Sequence, residues 1–365
     1  MTRDLAQRRL TSQQLVSTSC VSPADVVQYL VAVQAQDYAG AKWSIGLRLP
    51  GDETETDVER AYADGEILRT HLLRPTWHFV AAADIRWLLA LTGPRVQAAN
   101  AFMYRKVGLD ADVARRSRRT LEAALAGGPR ARHELRDALT RTGIDTAGDL
   151  RLSYLLMHAE LEGVICSGPR RGKQFTYALL DARVPSGRVR TKDEALAELA
   201  SRYFVSRGPA TVYDMAKWSG LTVTAVRQGL DAVRDRLVSE VVGDQTLWHS
   251  PSMTAVRRER QSLVHLLSIY DEYVSAYKDR SAMADEETRA RLSAFGNALT
   301  HIVVVNGKVV GRWKPDVRGR SVGVTCEWFR TPTAAEQRAY RTAARAYARF
   351  VGLPLSDAEP RTAEG

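Results

Sequence analysis

At 365 residues the chain is too long for one small core, and its 45% hydrophobic and 26% charged residues fit a globular protein of roughly two to four packed units. No segment approaches the ~18 consecutive apolar residues of a membrane-spanning helix, and Met1-Thr2-Arg3-Asp4-Leu5 leads into no apolar signal stretch, so the expected location is the cytoplasm, with the nucleoid. A formal net charge of +10 points to a polyanionic partner such as DNA, with plain solubility as the alternative reading.

In chain order, the first predicted helix opens at Ser22 and Asp25 around Pro23. Val26, Val27, Leu30 and Val33 recur at helical spacing, and the pattern ends near Gln36, because Tyr38-Ala39-Gly40 breaks the period. Trp43 to Leu49 and Leu68 to Val80 read as extended, and Asp84 to Leu91 as a helix. After the Gly127-Gly128-Pro129 break, helices are predicted over Arg132 to Thr142 and Ala147 to Glu162, stopped by Gly143 and Gly163. Val164-Ile165-Cys166 starts a strand, and Gln174 to Leu179 returns it. Between them the basic turn Pro169-Arg170-Arg171-Gly172-Lys173 suits phosphate contacts through Arg170, Arg171 and Lys173, or is simply solvated.

The clearest unit runs from Arg207 to His249. Thr211 and Asp214 form a capping pair for a helix over Val212 to Trp218, and Ser219-Gly220-Leu221 turns the chain. Thr222 caps a second helix to about Val233, and Leu237 to Val242 and Gln245 to Trp248 form a hairpin around Gly243-Asp244. Helix, turn, helix, hairpin is the winged helix-turn-helix order, and the 127–179 region repeats it. Leu263 to Ile269 reads as a buried strand. His301 to Val305 and Lys308 to Trp313 flank Asn306-Gly307 as a hairpin, and Val322 to Trp328 is a further strand, which suggests a small β unit. Thr333 to Phe350 is a helix, and the polar tail from Leu355 to Gly365 is expected to fray.

Cys20, Cys166 and Cys326 are odd in number and far apart, which argues against a disulfide framework or a zinc site. No metal and no cofactor is expected.

Several segments resemble the winged-helix DNA glycosylases related to AlkZ and YcaQ. They are Val33-Gln34-Ala35-Gln36-Asp37; Arg69 through His78; Tyr270-Asp271-Glu272-Tyr273 with Tyr277-Lys278-Asp279-Arg280; and Val310-Gly311-Arg312-Trp313. The resemblance covers about residue 5 to 350. It implies an α+β fold: three tandem winged helix-turn-helix motifs around a concave surface, plus a C-terminal β-barrel. The corresponding division is 1–110, 111–187 and 188–250 for the winged helices, 251–332 for the barrel, and 333–365 for a helix and tail. It further implies hydrolysis of the N-glycosidic bond of N7-alkylated guanine in double-stranded DNA. Gln34-Ala35-Gln36 matches the Gln-Φ-Gln signature of the AlkZ-like branch, whose association with self-resistance to alkylating natural products implies bulky adducts or interstrand crosslinks. Gln34 and Gln36 are then the catalytic pair. Asp37, immediately following, is either a supporting base or a local cap.

The chemistry is reasonable for those residue types. Alkylation at N7 makes the purine a cationic leaving group, so little acid or base help is needed. Two carboxamides, each with an acceptor and donors, can orient water at C1′. Residues i and i+2 point the same way only on an extended exit, not on a helix. Without the resemblance, both glutamines read as ordinary polar residues at a helix end. Arg74, Thr76 and His78 share one face of an extended ladder, opposite His71, and line a lesion pocket or bind phosphate; a wet wing hairpin is the alternative. Trp77 and Phe79 are expected as core. The 270–273 carboxylates read as structural, and Asp279-Arg280 as a local ion pair. Lys308, Arg312 and Lys314 on the Asn306-Gly307 hairpin are candidate DNA contacts or an ordinary surface. A monomer is expected, because tandem motifs remove the usual need for a dimer. The competing function is a non-catalytic winged-helix transcriptional regulator, since fold does not fix function.

Overall fold

One local order of elements occurs three times among the described residues: helix, short strand, two helices, hairpin. The computed structural model describes residues 2–254, 263–294, 300–356 and 361–362. The first copy comprises the helix Pro23–Leu30, the strand Ala32–Gln34, the helices Tyr38–Gly46 and Glu55–Asp64, and the strands Ile67–Leu72 and Thr76–Ala81. The second comprises Ala111–Leu125, Arg130–Ala131, Arg132–Arg141, Asp149–Leu161, Ile165–Arg171 and Gln174–Leu179. The third comprises Lys192–Arg207, Val212–Ser219, Val223–Asp231, Val238–Val242 and Gln245–His249, with Ala210 bridging to Trp248 in place of the short strand. In every copy the short element pairs antiparallel with the last strand of the hairpin.

Local chemistry explains the element ends. The Ser22 side chain accepts from the Asp25 amide at 3.1 Å, and Pro23 stands in the first turn, where its missing N–H is no loss. Thr211 and Asp214 close a reciprocal capping box at 2.9 and 3.1 Å. Gly220 ends that helix at φ +71°, and a Cβ there would collide with the Leu73 carbonyl, so the third copy packs backbone to backbone against the first.

Three expectations fail here. The first helix stops at Leu30 rather than near Gln36. Val31 turns to φ +66°, and Ala32, Val33 and Gln34 pair with Val80, Phe79 and His78 as a strand. The stretch read as extended over Trp43 to Leu49 is mostly the helix Tyr38–Gly46. Residues 40–45 are all buried, so the segment lacks the polar face that reveals a helix in sequence. The helix begun at Asp84 is longer than expected and spans Ala82–Ala99.

Among the described residues the C-terminal sheet is open, not a closed barrel. Its order is Arg361–Thr362, Ser321–Trp328, Lys308–Arg318, His301–Val305, Val264–Leu267, and the two outer strands do not pair with each other. Helices cover it instead of a further curl of sheet. Tyr347 on the helix Ala334–Phe350 packs edge-on against Trp313 and Trp43, each at 5.0 Å between ring centroids, and the Trp43 indole donates to the Leu266 carbonyl at 2.6 Å. Asn306 and Gly307 adopt φ +48° and +82°, as the hairpin reading requires. The expected fraying fails for part of the tail: Leu355 bridges to Val322 and residues 361–362 extend the sheet, while residues 357–360 and 363–365 lie outside the described residues. No helix among the described residues is long and apolar enough to cross a membrane.

Candidate active site

Gln34 ends the first short strand and is buried, with His78 beside it in register. Its backbone N–H donates to Glu272 Oε1 at 3.0 Å, and its side-chain oxygen accepts from Arg74 Nη2 at 3.1 Å. Arg74 also donates to the Lys217 carbonyl at 3.3 Å. The carboxamide is therefore held by a cation that is itself anchored to another copy of the repeat. Beyond the strand the chain keeps contact with Trp77. Ala35 N–H donates to the Trp77 carbonyl at 2.7 Å, and the exposed Gln36 accepts the Trp77 N–H at 3.3 Å. The strand therefore stops at Gln34, and the extended exit expected through Gln36 gives way to a bend there.

The ladder expected over 71–78 is a hairpin whose turn is Leu73, Arg74 and Pro75. His71 pairs with Trp77, Thr70 with His78, and Leu72 with Thr76, so His71 still faces away from Thr76 and His78. Phe79 is core, as expected. Trp77 is half-buried, against the His71 ring at 4.0 Å and the Arg69 guanidinium at 4.2 Å. His71 Nδ1 meets Glu160 in a very short contact. Among the described residues Thr70 Oγ1, Thr76 Oγ1 and His78 Nε2 are buried without a hydrogen-bond partner, and all three lie on the Gln34 face of the sheet.

Asp37 stands at the N-cap position of the helix Tyr38–Gly46 without making a capping bond. Its Oδ2 would lie 2.5 Å from a Cβ at Gly40, next to Ser268. The carboxylate thus lies along its own helix, toward the C-terminal sheet.

The remaining predicted contacts are dispersed. Arg170 is drawn inward by Glu59 at 2.9 Å and lies over the Tyr38 and Phe175 rings. Arg171 pairs with Glu134, and Lys173 is exposed at the turn. Arg312 is paired with Glu327 at 2.6 Å, Lys308 donates to the Ala282 carbonyl at 2.5 Å, and Lys314 is exposed on the C-terminal sheet. None of these joins the Gln34 cluster. The ion pair expected between Asp279 and Arg280 does not form: the Asp279 carboxylate instead takes the Ser281 N–H at 2.8 Å and hydroxyl at 2.9 Å, satisfying a local turn.

Sequence reasoning missed the residues that hold the site. Glu272 is fully buried and receives Gln34 N–H, Arg207 Nη2 at 2.6 Å and the Trp218 indole at 2.8 Å. Next to it, Asp271 takes both terminal nitrogens of Arg48, at 2.8 and 2.9 Å, and the Ser44 hydroxyl. Burial pushes the Asp271 carboxyl up, but Arg48 and the bonds around it outweigh that and hold it below its usual value. Tyr270-Asp271-Glu272-Tyr273 therefore serves as structure, as read from the sequence. Only the acidic pair itself hinted at such a role.

Buried imidazoles give the fold an acid limit. Burial lowers the pKa of His78, His158, His265 and His301 below 6.5, most strongly for His78, where the Arg74 charge adds to it. Below about pH 6.5 the unfolded chain binds protons that the folded chain refuses, so stability is full above that pH and lost as pH falls through the folded values. The urea midpoint is expected to drop between pH 7.5 and 5.5, on the order of 1 kcal/mol in unfolding free energy. An unchanged midpoint over that interval would mean these rings are not held neutral.

The family described as "DNA glycosylase AlkZ-like" matches residues 27–350. The chain is 25% identical over 321 residues to an interstrand DNA cross-link repair glycosylase of Streptomyces sahachiroi, covering 84% of this chain and 85% of that protein. The solved structure of Streptomyces sahachiroi DNA glycosylase AlkZ shares the fold, with a TM-score of 0.79 and 24% identity over 97% of this chain and 98% of that one.

Proposed function

Because the chain belongs to the AlkZ-like DNA glycosylase family, we propose that it hydrolyses the N-glycosidic bond of N7-alkylated guanine in duplex DNA, with bulky adducts or interstrand crosslinks as its natural substrates. The crosslink assignment follows the activity named for its Streptomyces sahachiroi relative. The three repeated units, within residues 1–110, 111–187 and 188–250, are read as winged helices whose charge serves DNA, in a protein that acts as a monomer in the cytoplasm. Residues 251–332 and 333–365 are read as the sheet unit and the closing helix with its tail.

One observation supports the reading of the chemistry: two carboxamides stand at the site, and the buried carboxylates behind Gln34 are committed to arginines. Gln34 is fixed by Arg74, Gln36 is exposed two residues on, and Asp37 is turned along its own helix. Glu272 and Asp271 are locked to Arg207 and Arg48. Carboxamides suit a leaving group that is already cationic, since departure of N7-alkylguanine needs no protonation. Gln34 and Gln36 orient the attacking water and the sugar, Asp37 supports them at most through its field, and no cofactor takes part. The products are an abasic site and the free alkylated base. The orphan atoms of Thr70, Thr76 and His78 support the same reading, because unpaired buried polar groups cost stability and collect where function demands them. Arg74, Thr76 and His78 form the pocket wall. Arg170, Arg171, Lys173, Lys308, Arg312 and Lys314 contribute to the field around the DNA.

The test is release of 7-methylguanine from methylated duplex DNA, with duplex affinity followed against salt. Release is expected, with sequence-independent binding whose log affinity falls linearly with log salt at about 0.9 per phosphate neutralised. No release from this substrate or from bulkier N7-guanine adducts would sink the proposal and leave a DNA-binding regulator or an inert scaffold.

A further inference from the structure

The strand Ala32–Gln34 ends at Gln34, so the ladder itself does not reach the second glutamine of the pair. Three other contacts hold the segment that carries it. The Trp77 carbonyl takes the Ala35 N–H at 2.7 Å, and the Trp77 N–H goes to Gln36 Oε1 at 3.3 Å. The third contact comes from Arg69, on the neighbouring strand Ile67–Leu72. Its guanidinium lies over the Trp77 ring, 4.2 Å from the centroid, and its Nε donates to the Ala35 carbonyl at 3.1 Å. That carbonyl belongs to the residue between the two glutamines, and it shares one planar peptide with the Gln36 nitrogen. The second copy of the repeat supports the clamp. Ser167 accepts the Arg69 N–H at 2.8 Å, and the Phe175 ring centroid stands 4.9 Å from the guanidinium.

A guanidinium is costly where Arg69 stands. The residue is half-buried, and desolvation is the main reason its pKa falls below the usual value. Among the described residues it forms no ion pair, and Glu160, whose charge opposes that fall, is in contact with His71 instead. A methionine or leucine would pack against Trp77 and Phe175 without burying a charge, so packing does not account for an arginine here. What the guanidinium adds is the bond to the Ala35 carbonyl. We propose that Arg69 is a positioning residue for the excision step: it fixes the Ala35–Gln36 peptide and thereby aims the Gln36 carboxamide. The inference rests on the glycosylase reading above and extends it to a side chain on another strand. Gln36 is exposed and stands in a bend, so its direction is set by this clamp rather than by packing around its own side chain.

The experiment uses the full-length protein. Arg69→Met keeps a long stem against the rings and removes the donor, and Arg69→Lys keeps a charge and a donor without the fork. On duplex containing 7-methylguanine, Arg69→Met is expected to lose about tenfold in single-turnover rate at saturating protein, while the half-saturating concentration stays within about twofold of wild type. Arg69→Lys should recover part of that rate. Combined with Gln36→Ala, either substitution should cost less than about twofold more, because a residue that acts through Gln36 then has nothing left to aim. A packing defect would instead multiply its full loss onto Gln36→Ala, and a DNA contact would move the half-saturating concentration. Either result, or a wild-type rate in both variants, overturns the proposal. Urea midpoints establish which variants are folded, and if Arg69→Met is not, Arg69→Lys decides. A second measurement needs no catalysis. The side-chain amide resonances of Gln36, assigned by their loss in Gln36→Ala, should shift in the Arg69 variants. Excision by wild type with unmoved resonances removes this inference alone, whereas shifted resonances in a protein that excises nothing remove the catalytic reading and leave the clamp standing.

Discussion

Gln34→Ala and Gln36→Ala are each expected to reduce single-turnover excision of 7-methylguanine by about 10²–10³-fold, while affinity for undamaged duplex stays within about threefold of wild type. The magnitude is that of removing one positioned polar group from a transition state, a few kcal/mol of differential stabilisation. Binding is spared because neither glutamine carries charge, and affinity for DNA resides in the phosphates. The two variants should differ in stability. Gln34 is buried and its loss strands Arg74, so Gln34→Ala should cost about 1–3 kcal/mol of folding free energy. Gln36 is exposed, so Gln36→Ala should cost almost nothing. The double variant should fall little further than the worse single one, since residues acting on one water are not additive. Wild-type excision in both single variants would remove the glutamines from the mechanism and reopen the question of Asp37.

What the sequence revealed and concealed follows a physical line. The third copy was legible almost residue by residue, because Thr211, Asp214, Gly220 and Thr222 punctuate it with local chemistry that needs no distant partner. The second copy was legible for the same reason, through Gly143 and Gly163. The first was not. A helix whose consecutive residues 40–45 are all buried carries no amphipathic signature, and a three-residue strand exists only because His78 to Val80 lie alongside it. Closure of the C-terminal sheet was overestimated because strands are written locally but the pairing of the outer strands is not. The glutamine pair was proposed through resemblance, and Arg74 and His78 through their neighbourhood in the sequence. Glu272 escaped notice as a hub because its partners Gln34, Arg207 and Trp218 lie 238, 65 and 54 residues away. The inward turn of Arg170 toward Glu59, 111 residues distant, was hidden in the same way.

Glu272 and Arg207 give the largest expected effect on stability. Both side chains are fully buried, and their ion pair at 2.6 Å sits where the first copy, the third copy and the C-terminal segment meet. Removing one partner leaves a charge in a medium that cannot solvate it. Arg207→Met is therefore expected to destabilise by about 3–5 kcal/mol in urea unfolding, and Glu272→Gln by a similar amount. The double variant Arg207→Met with Glu272→Gln should be markedly less damaging than the sum of the two. It buries no unpaired charge, and the carboxamide oxygen introduced by Glu272→Gln can still accept from the Gln34 N–H or the Trp218 indole. Catalysis separates the two roles of the pair. If Glu272 acts by placing the Gln34 backbone rather than by its charge, the double variant retains excision within about tenfold once it is folded, a loss of no more than about 1.4 kcal/mol in transition-state stabilisation. Strict additivity in unfolding would show that the pair is not coupled in the folded protein. A folded double variant as inactive as Gln34→Ala would show that the Glu272 charge itself, behind a nominally neutral site, is needed to stabilise the cationic sugar.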